Sequence, residues 1–179
     1  MHKERNHVVL VDSQNNELGI MDKYEAHTKG VLHRAFSIFI FNDKGELLLQ
    51  QRAGEKYHGA DLWTNTCCSH QQQHETTLQA ADDRLAYEMN MNADLEELFS
   101  FIYNAKVENN LIEHELDFVL FGITNQNPFP NPEEVQAYKW IGIDDLETWM
   151  HTKPEDFTYW FKDAWHRVKE HMLEVIEIS

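Results

Sequence analysis

Cysteine is nearly absent from this chain: there are two in 179 residues, and they are neighbours, Cys67 and Cys68. Adjacent residues on an extended strand point to opposite faces, which makes a poor disulfide pair, so a reduced, intracellular compartment is expected. Long hydrophobic runs are also missing. No stretch of about 18 apolar residues occurs, and the start, Met1-His2-Lys3-Glu4-Arg5-Asn6-His7, lacks the apolar segment of a signal peptide. A soluble, cytoplasmic protein is the expectation. Cations are scarce: Lys+Arg 15 stand against Asp+Glu 31, a net charge of −16. That field repels polyanions and anionic membrane surfaces, which disfavours nucleic acid and membranes as partners. An anionic small molecule must then be held by metal ions and a few local Lys or Arg. The length suits one domain over residues 1–179, as monomer or homodimer, because a chain of about 150 residues buries roughly 70% of its unfolded surface.

Helix and strand periodicities alternate along the chain, with no linker, internal repeat or low-complexity segment. His7 to Asp12 reads as a strand ending in the polar turn Ser13-Gln14-Asn15-Asn16. Arg34 to Asn42 and Glu46 to Arg52 form a hairpin signal about Asp43-Lys44-Gly45. Trp63 to His70 reads as extended, and Glu75 to Asn90 as a helix with Leu78, Ala81, Leu85 and Met89 at helical spacing. Phe99 to Val107 and Leu111 to Phe121 make a second hairpin about Glu108-Asn109-Asn110. A loop over Asn125 to Pro132, a strand over Val135 to Ile141, a short helix over Asp144 to His151 and a long helix over Tyr159 to Glu177 complete the chain. Hairpins mixed with helices predict an α+β fold, a mixed sheet covered by helices.

Two segments carry polar groups where strands are expected: Trp63-Thr64-Asn65-Thr66-Cys67-Cys68-Ser69-His70 and Glu113-His114-Glu115. Burying an unpaired carboxylate is costly, so a strand with two on one face needs a cation or a proton to neutralise them. Period two puts Glu113, Glu115, Asp117 and Val119 on one face and Ile112, His114, Leu116, Phe118 and Leu120 on the other. The first face is either a site or the wetted side of an antiparallel sheet. The second is mostly core, and His114 reads as structural. Cys68 shares a face with His70, which makes it the better candidate thiol, although a free cysteine is by default a small buried hydrophobe.

His27 and His33 bracket Thr28-Lys29-Gly30-Val31-Leu32, a loop-like span that could return two imidazoles to one cation. Among 11 histidines such pairs arise by accident; His2, His7, His58, His151, His166 and His171 read as surface or packing, and His74 has no obvious partner. Three imidazoles with two carboxylates would suit Mn²⁺, Zn²⁺ or Mg²⁺ and would leave the thiol free for chemistry.

The order Lys23-Tyr24-Glu25-Ala26-His27, Leu32-His33-Arg34-Ala35-Phe36-Ser37, Leu62-Trp63-Thr64-Asn65-Thr66-Cys67-Cys68-Ser69-His70 and Glu113-His114-Glu115 closely resembles type I isopentenyl-diphosphate delta-isomerases. The resemblance runs from about Asp22 to Trp160. It implies a Nudix-like α/β/α fold and interconversion of isopentenyl and dimethylallyl diphosphate. It further implies His27, His33, His70, Glu113 and Glu115 as ligands of a first divalent metal, with Cys68 and Glu115 as the catalytic pair. Glu88 is implied for a second Mg²⁺ that accompanies the diphosphate. Lys23, Arg52, Lys56 and Ser69 are implied as diphosphate contacts, and Tyr103 and Trp160 as aromatics beside the hydrocarbon tail.

The chemistry such a reaction needs agrees with these residue types. Moving a double bond means adding a proton at one carbon and removing one from a neighbour, through a tertiary carbocation that water would destroy. A thiol with an ordinary pKa near 8.5 stays mostly neutral and acts on one face of the alkene. A metal-bound carboxylate acts on the other, and Trp160 offers a ring face to the cation, unless it is simply core in an amphipathic helix. The chain departs from the family pattern after His70: where a proline and soon afterwards a glycine are usual, it reads Gln71-Gln72-Gln73-His74-Glu75, which is expected to loosen the entry to the next helix. The acid-rich helix of Nudix hydrolases is also degenerate here, Arg84-Leu85-Ala86-Tyr87-Glu88-Met89-Asn90-Met91, with one of three acids remaining. A diphosphate hydrolase is therefore the weaker alternative, and a non-catalytic metal-binding relative the third.

Overall fold

The computed structural model describes residues 4–178, so His2 lies outside the described residues. In chain order the elements are β1 (His7–Val11), β2 (Glu17–Asp22), α1 (Lys23–Lys29), β3 (His33–Phe41), β4 (Leu47–Arg52), β5 (Trp63–Thr64) and β6 (Cys67–Ser69). They continue with α2 (Thr77–Met89), β7 (Glu96–Lys106), β8 (Ile112–Ile123), β9 (Val135–Ile141), α3 (Ile143–Thr152) and α4 (Tyr159–Ile178).

The sheet is mixed and is organised about β3. On one side β3 runs parallel to β8 along its whole length, from His33 beside Glu115 to Phe41 beside Ile123, and β8 in turn pairs antiparallel with β7. On its other side β3 meets three strands in succession: β1 at His33, β6 at Phe36 to Ile38, and β4 at Phe41. Side-chain alternation along β3 then feeds two cores. Phe36, Ile38 and Ile40 pack with Leu48, Leu120 and the Ala81, Leu85, Met89 stripe of α2. Phe39 and Phe41 pack with Leu47, Leu49, Val119 and the Trp160, Phe161, Ala164, Trp165, Val168 stripe of α4. Helices therefore cover both faces of a mixed sheet, the α+β arrangement expected.

Two elements differ from the sequence reading. The span from Glu17 to His27, unassigned in the sequence reading, holds an edge strand, β2, and most of a helix of seven residues, α1, which runs on through Thr28 and Lys29 of the loop-like span. Asp22 caps α1 by accepting from the Glu25 N–H at 2.9 Å, and Gly30 ends it with φ 68°. Any side chain at Gly30 would meet Ile112 at 3.1 Å. His27 is therefore a helix residue, fixed in direction by two turns of backbone. Helix α2 begins at Thr77, later than Glu75, because Thr76 and Gln79 form a capping box, each side chain bonded to the other's backbone N–H.

Glu75 is engaged elsewhere. Arg5 donates to both of its oxygens at 3.0 and 3.3 Å and to the His70 carbonyl at 3.1 Å. Gln72 donates its N–H to Glu75 at 2.9 Å and its side-chain amide to the His7 carbonyl at 2.8 Å. Gln71 accepts from the Thr77 hydroxyl at 2.9 Å. The stretch expected to be loose is instead tied down by buried glutamines, which replace stiffness of the backbone with a side-chain network. One residue in it remains strained: His74 has φ 68°, the left-handed region that glycine enters freely. Replacing His74 by glycine should therefore raise unfolding free energy by about 0.5–1 kcal/mol, the relief of strain exceeding the entropy glycine adds to the unfolded chain. Urea denaturation of the two proteins checks it; equal or lower stability for His74→Gly would show that the histidine side chain contributes more than its backbone costs.

Candidate active site

Glu115 is the hub of the site. Its carboxylate is buried on β8, and the parallel register sets it directly beside His33 on β3. Oxygen Oε1 lies 2.9 Å from His70 Nε2, 3.4 Å from His33 Nε2 and 3.7 Å from His27 Nε2. The ligand atoms of these four residues all lie within 4.8 Å of one another. The imidazoles are fixed from behind: His27 Nδ1 sits 2.6 Å from the Lys23 carbonyl and His33 Nδ1 sits 2.7 Å from the Val31 carbonyl. A carbonyl only accepts, so each Nδ1 carries the proton and each Nε2 presents a lone pair to the cluster. Both Nε2 atoms are buried and, among the described residues, have no hydrogen-bond partner. Converging buried lone pairs beside a carboxylate are what a divalent cation requires. Burial pushes His70 down to about 3 against the pull of Glu115. Burial opposes charge on His27 as well, but the nearby Glu115 carboxylate outweighs it and draws His27 upward. Burial opposes ionisation of Glu115 too, yet the three imidazoles hold its carboxyl well below the usual range.

Glu113 shares that strand face and is buried, which settles the choice between a site and a wetted surface for this side of β8. It stands just outside the four-residue cluster. Its Oε1 lies 2.6 Å from His58 Nε2, and its Oε2 accepts from the Tyr103 hydroxyl at 2.8 Å. The same hydroxyl lies 2.6 Å from Glu115 Oε2. One hydroxyl proton thus serves two carboxylates, and only one receives it at a time. His114 points away, as its alternation requires, and bonds the Gly30 carbonyl at 3.0 Å.

Cys67 and Cys68 face opposite ways as expected. Cys67 is fully buried in the core beneath α2; Cys68 lines the cavity. Burial pushes the Cys68 thiol up, with Arg52 opposing and Glu88, Asp117 and Glu115 reinforcing, so the sulfur keeps its proton. Ser69 lines the cavity as well, although strict alternation puts it with Cys67; β6 ends there, and the chain turns away after it.

Lys23, Arg52, Lys56 and Arg84 also line the cavity. Lys56 pairs with Glu134; Arg84 pairs with Glu88 on the next turn of α2 and lies 3.6 Å from Glu134. Glu88 also accepts from Gln50 at 3.0 Å. The ammonium of Lys23 is driven down by burial and then by Lys56 and Arg84, the signature of cations crowded toward one spot. Tyr103 and Trp160 form the apolar wall. Trp160 belongs to the core of α4 and to the cavity at once, and the Arg52 guanidinium already lies 5.1 Å from its ring centroid.

Every residue the resemblance implied, apart from the helical His27 and the buried His33, lines this one cavity, and those two belong to the cluster at its floor. His58 is a correction: read as surface or packing, it is 7% exposed, lines the cavity and contacts Glu113. Arg84 and Glu134 were not singled out either. Arg84 was findable, being four residues before Glu88 on one helix face; Glu134 lies in the turn before β9 and carries no such signal.

A family model for the NUDIX domain matches residues 31–161. The fold is similar to that of a Deinococcus radiodurans protein, with a TM-score of 0.65 at 16% identity over 82% of this chain and 89% of that one. It is also similar to a MutT protein from Methanosarcina mazei, with a TM-score of 0.63 at 16% identity over 78% of this chain and 94% of that one. The chain belongs to the Nudix family. Within that family it is 48% identical to the isopentenyl-diphosphate Delta-isomerase of Pectobacterium atrosepticum over 92% of both chains. It is 47% identical to that of Serratia proteamaculans over 86% of both. It is therefore a member of the isopentenyl-diphosphate Delta-isomerases, and an enzyme.

Arg84 is buried against Glu88, so removing its charge strands a buried carboxylate. Arg84→Met should cost about 3–5 kcal/mol of stability. Urea unfolding of the variant reads this directly, and a loss below about 1 kcal/mol would show that Gln50 and water satisfy Glu88 without the guanidinium.

Proposed function

We propose that the chain converts isopentenyl diphosphate into dimethylallyl diphosphate, with Cys68 and Glu115 as the acid–base pair. The observation that carries this reading is the convergence of His27, His33, His70 and Glu115 beside the Cys68 thiol in a cavity that Lys23, Arg52, Lys56 and Arg84 also line. Lys23, Arg52, Lys56 and Ser69, joined by Arg84, would hold the diphosphate, and charge-assisted bonds from such groups are the strong ones. Lys23, Arg52, Lys56 and Arg84 line the cavity with Glu88, Glu113, Glu115 and Glu134, so the cavity of this strongly acidic chain carries as many cations as carboxylates. With the diphosphate anchored there, the five-carbon tail lies toward Cys68, Tyr103 and Trp160. A proton adds to the terminal alkene carbon, leaving positive charge on the tertiary carbon. A proton then leaves the carbon next to the diphosphate-bearing CH₂, and the double bond closes there. Cys68 and Glu115 stand on different neighbours of β3, so they reach the alkene from two sides. Tyr103 bonds Glu115 and steadies its proton inventory, while the aromatic wall excludes water.

The donor set fits a divalent cation, Mn²⁺, Zn²⁺ or Mg²⁺, held by His27, His33, His70 and Glu115, with Glu113 as the neighbouring carboxylate. When bound, that cation supplies fixed positive charge that offsets the buried carboxylates. Glu88 is the candidate to meet a second Mg²⁺ arriving with the substrate. One Nudix-like domain over residues 1–179, working in the cytoplasm as monomer or homodimer, completes the reading.

Chelation should lower both activity and melting temperature, because a ligand bound only by the native state stabilises it, by about 2.7 kcal/mol at 100 times its Kd. An identical melting curve and rate with and without chelator would remove the metal from the reading. Turnover in D₂O should place deuterium on the new methyl group while both phosphates stay attached. Cys68→Ala should abolish turnover and labelling together, whereas Cys67→Ala should keep activity and lose about 1 kcal/mol of packing. Product without carbon-bound deuterium would exclude the protonation route, and released phosphate would point to a hydrolase.

A further inference from the structure

Glu113 has two rotatable torsions before its carboxylate and stands on the site face of β8, yet both its oxygens are engaged. The Tyr103 hydroxyl donates to Oε2 at 2.8 Å, and His58 Nε2 lies 2.6 Å from Oε1. A carboxylate offers only lone pairs, so the proton in the second contact sits on His58 Nε2. His58 does not come from the sheet. It belongs to the connection between β4 and β5, which also carries Lys56 and Tyr57, and it is 7% exposed. The connection is held in register from both sides. Arg52 donates to the His58 carbonyl at 3.1 Å, and Asn109 donates to the Tyr57 carbonyl at 2.7 Å. Gly59, at φ +61°, is closely packed: a Cβ there would meet Arg52 Nε at 3.2 Å and Trp160 Cη2 at 3.3 Å. The His58 ring is therefore presented to Glu113 by a backbone that is itself pinned.

We propose that His58 is a positioning residue: it orients Glu113 so that the free lone pairs of that carboxylate turn toward the His27, His33, His70 and Glu115 cluster. Oε1 of Glu113 gives one lone pair to His58, Oε2 shares the Tyr103 proton with Glu115, and each oxygen keeps a lone pair for the cluster. His58 is not among the four residues whose ligand atoms cluster, although its ring lies 5.8 Å from that of His27 between centroids, and it acts through Glu113. It also links the connection bearing Lys56, at the diphosphate end, to the carboxylate beside the metal cluster. The inference rests on the metal reading above, and its test separates the two.

The test is titration of the purified chain with Mn²⁺ alone, followed by electron paramagnetic resonance of free Mn²⁺, with melting curves and steady-state kinetics alongside. His58→Phe keeps the ring and removes the donor; His58→Gln keeps a donor near the Nε2 position. His58→Phe should weaken Mn²⁺ binding about tenfold or more and lower kcat, with KM for the diphosphate changed less than about threefold. His58→Gln should recover most of both losses. In a Glu113→Ala background, which itself weakens Mn²⁺ binding, His58→Phe should add nothing, because the pair acts as a unit. Unchanged Mn²⁺ affinity in His58→Phe, an equal loss with and without Glu113, or no recovery in His58→Gln would each overturn the proposal. A wild-type chain that fails to bind Mn²⁺ would overturn the metal reading and this inference with it.

Discussion

Strands β3 and β4 share a single residue pair, Phe41 with Leu47, and then part. Parting leaves backbone groups of both strands facing a gap inside the protein, where unmade hydrogen bonds cost about 1–3 kcal/mol each. The gap is filled by side chains of the segment before β6. Thr66 accepts the Ile40 N–H at 2.9 Å and donates to the Leu48 carbonyl at 2.6 Å, bridging the two strands with one hydroxyl. Asn65 donates to the Ile38 carbonyl at 3.1 Å and to the Cys67 carbonyl at 2.9 Å, and Gln50 donates to the Thr66 carbonyl at 2.7 Å. The polar residues that look out of place in a strand thus complete a broken ladder. The next residues of the chain depend on this plug: β6 slots against Phe36 to Ile38, Cys68 falls opposite Ser37, and His70 emerges at the end of the strand beside Glu115.

The cluster at the floor of the cavity rests on a second constraint, also set by backbone. An imidazole offers a metal one lone pair only if its other nitrogen holds the proton. At His27 and His33 that proton is claimed by carbonyls of Lys23 and Val31, in helix α1 and in the short turn beyond its Gly30 cap. The same backbone that aims the rings therefore selects their tautomer. His70 is held differently, its carbonyl anchored by Arg5 and Gln72 so that the chain cannot swing the ring away. Three imidazoles from a helix, a central strand and a strand end are thus made rigid by two unlike devices, each of which satisfies a backbone carbonyl.

Much of this was legible from residues alone, for definite reasons. Period two on β8 sorted Glu113, Glu115 and Asp117 from His114, because a strand's geometry leaves no freedom in that assignment. The same alternation separated Cys68 from Cys67. Helix α1 was not legible: seven residues carry too few turns for an apolar stripe, and its helicity comes from the Asp22 cap, the Gly30 stop and packing on β8. His58 escaped notice because its role arises across 55 positions of sequence, through a connection with no periodicity, and one histidine among 11 is indistinguishable from a surface residue until its partner is known. Arg84 was legible as the partner of Glu88 on one helix face, but its approach to Lys56 was not, since only the fold brings both to Glu134. The glutamines after His70 looked like a loss of stiffness. Their burial shows that a hydrogen-bonded network can take over the work of a constrained backbone, while leaving His74 in a conformation that suits glycine.

A chain of net charge −16 that takes an anionic substrate poses a question of range. Charges on the far surface act through water and salt, where screening extends over about 8 Å at physiological ionic strength. Lys23, Arg52, Lys56 and Arg84 act inside a cavity whose walls are partly apolar, where the same charge at contact distance is worth several times more. Once the ligand is within a few ångströms, contact with these cations therefore outweighs the screened charge of the distant surface. The acidic exterior still has an effect, since it slows the approach of any polyanion and admits best the ligands that arrive with part of their charge already neutralised. A diphosphate carrying a divalent cation meets that condition, and Glu88, the residue proposed to meet that cation, is held at the cavity wall by Arg84 and Gln50.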